Sequence, residues 1–288
     1  VLYLETVSDR RRFVDVARQV IQRKPVIVLK VGRFESGQKA AASHTGALAA
    51  SDTAFDAAFD KSGILRADTA EQMFDWAAAL ENCPLPRGKN VAVLTNAGGP
   101  GVIAADSLEQ NSLSLARLTE STLGALSAIL PPSASLHNPV DMLASASPET
   151  YATCLRLLLS DPNVDAALLI LPPPPMFKAE MVADKLIEII RQFDKPVVIA
   201  LMGSTLIEEA HQKFRLANVP TYPFPERAAS GLSALFKRAE YLAAEKAEKP
   251  EKKPSKISGH SAANLDELLN AYKIPIAPVK LARDENEA

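Results

Sequence analysis

The stretch PVIVLKVGRFESGQKAAASHTGALAASDTAFDAAFDKSG, residues 25–63, contains the pattern from which the fold is predicted. Its first part, Pro25 to Lys30, is an apolar run rich in β-branched side chains, which is typical of a buried strand. Its last part, from Asp52, carries apolar residues at helical spacing and ends at Gly63. We interpret the small residues between them as a loop that joins a strand to a helix. Folds of the α/β class bind ligands at such strand ends.

That loop contains one histidine, His44, within Ser43-His44-Thr45-Gly46. A neutral imidazole is available near neutral pH, so a histidine with little bulk around it can act as a nucleophile toward phosphorus. The hydroxyl groups of Ser43 and Thr45 and the backbone N–H of Gly46 are donors that could hold a phosphoryl group. From spacing alone, an ordinary hydrogen-bonded loop histidine is the commoner alternative, because no base or metal ligand stands near His44 in sequence.

Two runs of alternating strands and helices divide the chain into domains predicted at residues 1–84 and 85–244. The first run predicts strands at residues 1–5, 25–30 and 64–66 and helices at residues 9–23, 52–61 and 69–80. The second predicts strands at residues 91–95, 114–118, 166–171, 196–201 and 220–222, separated by helices. We therefore predict an α/β protein with two flavodoxin-like parallel-sheet domains.

The end of the chain differs in composition from these domains. Residues 245–260 include EKAEKPEKKPSK, which is charged, contains proline and has almost no apolar side chains, so we interpret them as a linker. Residues 261–288 include LDELLNAYKIPIAP, which has helical spacing followed by a short extended piece.

A second candidate site is the glycine-rich sequence NAGGPG, residues 96–101, between a predicted strand and a predicted helix. Successive glycines, here Gly98, Gly99 and Gly101, allow the backbone to turn its N–H groups toward an anion. The helix that follows adds about half an elementary positive charge at its start. The spacing differs from the GxGxxG dinucleotide fingerprint, and a tight turn without a ligand is an equally good interpretation.

The sequence HNPVD, residues 137–141, follows a double proline and is predicted to be a loop at a strand end. Asn138 and Asp141 could line a site and orient its loops or a ligand. The structural alternative, which we favour slightly, is a turn formed at Asn138-Pro139 and capped by Asp141.

Composition excludes several classes of function. The 288 residues carry a net charge of −2, which implies no attraction to nucleic acid or to a membrane surface. The two cysteines belong to no CxxC or Cys/His cluster, so neither a disulfide framework nor a metal site is expected. The sequence shows no signal peptide and no apolar stretch long enough to cross a bilayer, so we expect a cytoplasmic protein.

The His44 segment resembles the phosphohistidine segment of nucleoside-diphosphate-forming acyl-CoA synthetases, a superfamily that includes succinyl-CoA synthetase and ADP-forming acetate–CoA ligase. The resemblance includes the opening VLYLE and the later ILRADTAEQMFDWAAAL. It implies that His44 takes a phosphoryl group from an acyl phosphate and passes it to a nucleoside diphosphate, and that Glu5 steadies the histidine. It also implies that Asn96, Gly98 and Gly99 face the phosphohistidine and that Asn138 and Asp141 line the same region.

The resemblance further implies that the chain is the middle portion of a longer polypeptide. Its first domain would start partway through, and residues 261–288 resemble the start of an ATP-grasp domain. CoA and ADP or ATP with Mg²⁺ would bind mainly outside the chain, in CoA-binding and ATP-grasp domains of the same or a partner chain. The reaction would convert acyl-CoA, ADP and phosphate to the free acid, CoA and ATP. Whether the protein forms a homo-oligomer is left open.

Two other functions remain as alternatives at this stage. Modules of this kind also occur as regulatory parts of protein lysine acetyltransferases, where they commonly lack the histidine, so His44 favours the ligase. A flavodoxin-like FMN-binding protein would need several Ser or Thr residues where this chain has NAGGPG. The run Pro172 to Pro175 departs from succinyl-CoA synthetase, where the resemblance places a glycine pair.

Overall fold

A computed structural model gives the structure of residues 1–45 and 52–247, with the backbone alone for residues 41–45 and 246–247. Residues 1–243 form one compact unit, and a second unit begins at Ala244. Gly46, the predicted linker beyond residue 247 and the predicted ATP-grasp start at residues 261–288 lie outside the described residues.

The first part of the chain forms a small parallel sheet of three strands. The strands are β1 (Leu2–Leu4), β2 (Ile27–Lys30) and β3 (Leu65–Ala67), in the spatial order β1-β2-β3. The helices are α1 (Arg10–Ile21), α2 (Glu35–Thr45), α3 (Asp52–Ser62) and α4 (Ala70–Asn82). One face of this sheet packs on α1 and α3 through Val28, Ile21 and Phe59, and the other packs on α4 through Ile27 and Trp76.

The rest of the chain forms a larger parallel sheet with helices on both faces. Its strands are β4 (Asn90–Thr95), β5 (Ser114–Leu115), β6 (Val140–Asp141), β7 (Ala166–Leu171), β8 (Val197–Leu201) and β9 (Thr221–Tyr222). Its helices are α5 (Gly98–Gln110), α6 (Glu120–Ser127), α7 (Pro148–Ser160), α8 (Ala179–Ile190), α9 (Glu208–Leu216) and α10 (Pro225–Ala247). The spatial order β5-β4-β7-β8-β9, with β6 also paired to β4, is the 2-1-3-4-5 order of flavodoxin-like folds, so that prediction is confirmed.

The central strands of the large sheet are buried because helices cover both faces. Every residue of β7 and β8 is buried, which explains why their sequences, AALLIL and VVIAL, are continuous apolar runs rather than alternating patterns. Side chains of one face pack against α6 to α9, and those of the other pack against α5 and α10. Because α5 begins at Gly98, three residues after the end of β4, its start lies at the carboxyl edge of the sheet.

Several predictions about secondary structure are wrong. The stretch around His44 was predicted to be a loop, but its backbone is helical as far as Thr45, in α2. Ala, Gln and Lys in QKAAA are strong helix formers, and Glu35 pairs with Lys39 one turn later at 2.7 Å, so the small residues extend a helix. The loop predicted at residues 137–141 contains β6, and α10 continues two residues past the predicted linker start at residue 245.

The strand predicted at residues 114–118 ends at Leu115 because a side chain replaces strand pairing beyond it. The Asn138 amide nitrogen donates to the carbonyls of Val91 and Ala116, at 2.8 and 3.0 Å. Its amide oxygen accepts a hydrogen bond from the backbone N–H of Val93 at 2.8 Å. Asn138 therefore fills the gap between β5 and β6 along the edge of β4.

Helices α4 and α10 join the two sheets. The Trp76 indole N–H donates to the Ser230 hydroxyl at 2.9 Å, and the Arg227 guanidinium makes two hydrogen bonds to the Asp75 carboxylate, both at 2.7 Å. Farther along α10, the Tyr241 ring packs with the core of the small sheet. Among the helices of the described residues, none is both long and apolar enough to span a bilayer.

Candidate functional site

The glycine-rich sequence is the first turn of a helix rather than a loop before one. Helix α5 begins at Gly98, its N-cap residue is Ala97, and no side chain caps it among the described residues. Gly98 and Gly99 are exposed, and their N–H groups have no partner within the helix because they lie in its first turn. Pro100 has no N–H to leave unsatisfied, so it suits this turn. The arrangement offers two backbone donors and the positive end of a 13-residue helix to an anion.

The three glycines have different surroundings. A Cβ on Gly99 would have no heavy atom within 4 Å, so space is open above this residue. A Cβ on Gly98 would lie 3.3 Å from Asp141 Oδ2. A Cβ on Gly101 would lie 3.3 Å from Thr95 Cγ2 and 3.5 Å from Pro139 Cβ, so this glycine permits close packing of the helix on the strand end. The Gly101 N–H already donates to the Ala97 carbonyl at 3.4 Å and is not free for an anion here.

Two buried residues shape the turn between β4 and α5. The Thr95 hydroxyl accepts a hydrogen bond from the Ala97 N–H at 3.0 Å and donates to the Ala97 carbonyl at 2.9 Å. Asn96 is only 5% exposed, and its Oδ1 has no hydrogen-bond partner among the described residues. A buried acceptor without a donor is costly, so Asn96 is suited to receive a donor from a ligand or another part of the protein.

The HNPVD residues divide between structure and site. All the hydrogen bonds of Asn138 described above go to backbone groups at the edge of β4, which agrees with the structural alternative. Asp141 holds the next turn, because its Oδ1 accepts a hydrogen bond from the Leu143 N–H at 2.9 Å, while its Oδ2 lies beside Gly98. Of these two residues, Asp141 is therefore the one that lies at the helix terminus.

Tyr151 is a neighbour of this site that the sequence analysis missed. It lies in the first part of α7, it is fully buried, and its hydroxyl has no hydrogen-bond partner among the described residues. Burial, together with the negative charge of Asp141, raises the pKa of Tyr151 above its ordinary value, so the phenol stays protonated. A tyrosine at helical spacing in an apolar stretch gives no sequence signal beyond that of a core residue.

Glu5 and Lys30 lie together at the carboxyl edge of the small sheet. Leu4 pairs with Lys30 in the register of β1 and β2, which puts Glu5 one residue past β1 beside the end of β2. Lys30 is 4% exposed, and its ammonium donates to the Val31 carbonyl at 2.5 Å. Burial lowers the pKa of Lys30, while the charges of Asp52 and Glu5 oppose this shift.

Ser43, His44 and Thr45 are described through their backbone alone, as the last residues of α2. The predicted contact between Glu5 and His44 and the predicted donors around His44 therefore stay predictions. Within the described residues, no group of three or more His, Cys, Asp or Glu side chains is arranged to hold a metal ion.

Comparison with known families agrees with this architecture. Residues 1–80 match the model of the succinyl-CoA ligase-like flavodoxin domain, and residues 91–245 match that of the ligase-CoA domain. The second match alone covers more than half of the chain. The chain belongs to the ADP-forming acyl-CoA synthetase superfamily.

Relatives within the superfamily are longer than this chain. The alpha subunit of acetate–CoA ligase (ADP-forming) II from Pyrococcus furiosus is 43% identical over 242 residues, which cover 83% of this chain and 53% of the relative. Acetate–CoA ligase (ADP-forming) I from Archaeoglobus fulgidus is 36% identical over 301 residues, covering 100% of this chain and 43% of the relative. The chain thus spans about half the length of the relatives it matches.

A solved structure of the superfamily has the same fold. Dinucleotide-forming acetyl-coenzyme A synthetase 1 of Candidatus Korarchaeum cryptofilum, in complex with phosphate and ADP, superposes with a TM-score of 0.80 at 37% identity. The match covers 86% of this chain and 55% of that one.

Proposed function

We propose that this chain is the phosphohistidine-bearing core of an ADP-forming acyl-CoA synthetase. The full-length protein converts acyl-CoA, ADP and phosphate to the free acid, CoA and ATP. The observation that carries the proposal is the uncapped start of α5, where the first-turn N–H groups of Gly98 and Gly99 have no partner within the helix and the space above Gly99 is open. Membership of the superfamily supports the same function.

The chemistry assigned to His44 consists of two transfers. Its neutral imidazole attacks the phosphorus of an acyl phosphate, a nitrogen–phosphorus bond forms, and the bond to the carboxylate oxygen breaks, which releases the free acid. The terminal oxygen of ADP then attacks the same phosphorus, which forms ATP and restores the imidazole. In this proposal Glu5 accepts a hydrogen bond from the other ring nitrogen and stabilises the positive charge on the phosphorylated ring.

The phosphoryl group needs donors while it is bound to nitrogen. The N–H groups of Gly98 and Gly99 and the positive helix end supply them, and Ser43, Thr45 and Gly46 would add donors from the histidine side. Asn96 supplies a buried acceptor for a protonated oxygen of the ligand. Asp141 carries a negative charge beside Gly98 and would repel an anion. We therefore assign it a structural role, which is to hold the turn at Leu143 through its hydrogen bond to that backbone N–H.

The proposal includes domains and partners outside the described residues. The two family matches support a division into domains at residues 1–84 and 85–244. A linker that follows the end of α10 at Ala247 and reaches residue 260, and an ATP-grasp start at 261–288, stay predictions. CoA and ADP or ATP with Mg²⁺ would bind mainly in further domains of the same or a partner chain, and the complex of a related enzyme with phosphate and ADP supports the use of ADP and phosphate. Cytoplasmic location and homo-oligomerisation stay predictions.

Labelling of the full-length protein tests the proposal. Incubation with ATP labelled in the γ-phosphate and Mg²⁺ should place an acid-labile, base-stable phosphate on His44, and His44→Asn should abolish both labelling and turnover. His211→Asn is the matched control, because His211 is an exposed histidine on α9. Glu5→Gln should slow labelling by roughly 10²-fold, as expected for a group that assists proton handling. Labelling and turnover that persist in His44→Asn would show that the phosphohistidine assignment is wrong.

A further inference from the structure

The segment that carries His44 leaves the small sheet at Arg33 and returns at Asp52, and these two residues contact each other. The Arg33 Nε lies 3.4 Å from Asp52 Oδ2, although the residues are 19 positions apart. Arg33 lies three residues past the end of β2, and Asp52 is the first residue of α3. The ion pair therefore connects the point where the chain leaves the sheet edge to the point where it comes back.

Arg66, on β3, binds Asp52, the residue at which the segment returns, to the sheet. Its Nη2 lies 2.5 Å from Asp52 Oδ1, its Nη1 binds Asp56 one turn later on α3, and its side chain is 10% exposed. Arg33 is also bound to the end of β3, since its Nη1 lies 2.5 Å from Oδ1 of Asp68, the residue after that strand. Asp52 thus accepts hydrogen bonds from two guanidinium groups that are each bound to a further carboxylate.

Asp52 and Arg33 both keep their charges at neutral pH. Burial by itself would raise the pKa of Asp52, but the hydrogen bonds and positive charges of Arg66 and Arg33 outweigh it and lower that pKa. The hydrogen bond that Arg33 donates to the Asp68 carboxylate raises the pKa of Arg33. Both groups remain ionised, so the contacts are charge-assisted hydrogen bonds, which are stronger than neutral ones.

The start of α2 is also fixed close to the sheet. The Gln38 side-chain amide donates to the Arg33 carbonyl at 3.3 Å. A Cβ on Gly37 would lie 3.3 Å from the Cα of Gly32, which has a φ of 68°, so the helix approaches this turn closely. The Arg33 backbone is therefore held by the Gln38 side chain, and the turn at Gly32 before it is held by the close approach of Gly37.

The cluster is better suited to hold the chain than to bind an anionic ligand. Its cations are Lys30, Arg33 and Arg66, and the carboxylates around them are Glu5, Asp52, Asp56 and Asp68. The carboxylates outnumber the cations by one, and the arginine donors already face carboxylates. A phosphoryl group would have to displace one of them.

We propose that Arg33, Asp52 and Arg66 form a clamp that holds both ends of the His44-bearing segment on the carboxyl edge of the small sheet. The clamp sets the position from which His44 reaches the phosphoryl donor and the acceptor. Its members act through His44, so they are positioning residues, and the proposal rests on the proposed function. A misplacement of about 1 Å can slow a reaction roughly 10²-fold, which makes the contribution measurable.

Single-turnover kinetics of the full-length protein tests the clamp. Rapid-quench labelling with ATP gives the rate and amplitude of phosphorylation, and addition of the free acid with CoA gives the rate of dephosphorylation. For Arg33→Gln and for Asp52→Asn, we expect full amplitude and an unchanged KM for ATP, with both rates reduced roughly 10- to 100-fold. The double variant should be slowed by less than the product of the two single effects, because both changes remove the contact between Arg33 and Asp52. Asp184→Asn, which removes the ion pair between α8 and α9 made with Lys213, should keep wild-type rates.

The amplitude separates positioning from folding. A variant that only unfolds part of the protein lowers the amplitude and leaves the rate of the remaining molecules unchanged, and that result would overturn the clamp. If Asp52→Asn does not fold, Arg33→Lys provides the test, because a lysine keeps the charge but cannot bridge Asp52 and Asp68 as a guanidinium does. Wild-type rates in Arg33→Lys and Arg33→Gln would also overturn it. Labelling of wild-type protein at His44 together with such rates would refute the clamp alone, whereas labelling that survives His44→Asn would refute the proposed function.

Discussion

The two sheets of this protein differ in what covers them and in what their carboxyl edges offer. The strands β7 and β8 are buried along their whole length, whereas Leu2 and Tyr3 on β1 stay 40% and 62% exposed. At the edge of the large sheet the candidate site is made of backbone N–H groups at the start of α5. The edge of the small sheet instead carries paired charged side chains, which form the clamp. We infer that the large sheet is the more stable platform and that the small sheet depends on α4, α10 and its ion pairs.

Core truncations in the two sheets should show the largest difference. Leu169 is fully buried in the large sheet, and Phe59 is 1% exposed between the rings of Phe13 and Phe55 in the small one. Leu169→Ala should lower the free energy of unfolding by about 2–5 kcal/mol, through lost burial and the cavity left behind. Phe59→Ala should lower the free energy of unfolding by a comparable amount, but only the small sheet should be destabilised.

Hydrogen exchange followed by mass spectrometry distinguishes these outcomes, because it reports local opening. Phe59→Ala should speed exchange in peptides from β2 and β3 and leave β7 protected. Leu169→Ala should speed exchange in β4, β7 and β8. Equal acceleration throughout residues 1–243 in both variants would mean that the two sheets unfold as one unit, and the comparison would be wrong.

The junction between the sheets gives the next largest effect. Gly63 has a φ of +70°, and a Cβ there would lie 2.5 Å from atoms of the Tyr241 ring on α10. Gly63→Ala should destabilise by about 2 kcal/mol or more, since the left-handed conformation costs an alanine about 1–2 kcal/mol and the ring must also move. Denaturant unfolding monitored by the fluorescence of Trp76, the single tryptophan, measures this at the junction itself.

Gly124→Ala is the control for Gly63→Ala, because no heavy atom lies within 4 Å of its Cβ position and it lies inside α6. It should stabilise the protein by about 0.5–1 kcal/mol, as expected for alanine in a helix. If the two substitutions had the same effect, Tyr241 would not connect α10 to the small sheet in the way described.

The smallest effect is a pH dependence within the large sheet. Burial would raise the pKa of Asp161, but hydrogen bonds from Thr122, Thr119 and Asn163 outweigh it and lower that pKa. A carboxyl group with a lowered folded pKa adds stability above its unfolded pKa of about 3.9, and that stability is lost as the pH falls through the folded value. Asp161→Asn should therefore cost about 1 kcal/mol near neutral pH.

The difference between wild type and Asp161→Asn should shrink as the pH is lowered below about 4. Urea unfolding at a series of pH values measures it. Asp194→Asn is the control, because that side chain is 82% exposed and lies 3.9 Å from Arg87, and its effect should stay small at every pH. If the difference in unfolding free energy between wild type and Asp161→Asn did not change with pH, the hydrogen bonds would hold the protonated carboxyl group as well as the ionised one, and the prediction would be wrong.

The candidate site was predictable only in part. The residues at the start of α5 could be located because glycines between an apolar strand and a helix are a local signal. The sequence could not predict that Gly99 faces open space while Gly101 permits close packing. That difference depends on Thr95 and Pro139, which lie against Gly101 and not against Gly99. Asn138 was assigned both a structural and a site role, and only the positions of β4 and β5 decide between them.

The sequence by itself determined the α/β class, the alternation of strands and helices and the position of the apolar strands of the large sheet. Those properties depend on patterns within about ten residues, namely continuous apolar runs, helical spacing and strand-end glycines. Only the tertiary structure decided that Arg33, Asp52 and Arg66 meet, that Asn138 completes the edge of β4 and that Tyr241 packs on Gly63. Each of these contacts joins residues 14 to 178 positions apart, and charge or shape complementarity at such separations leaves no periodic trace in the chain.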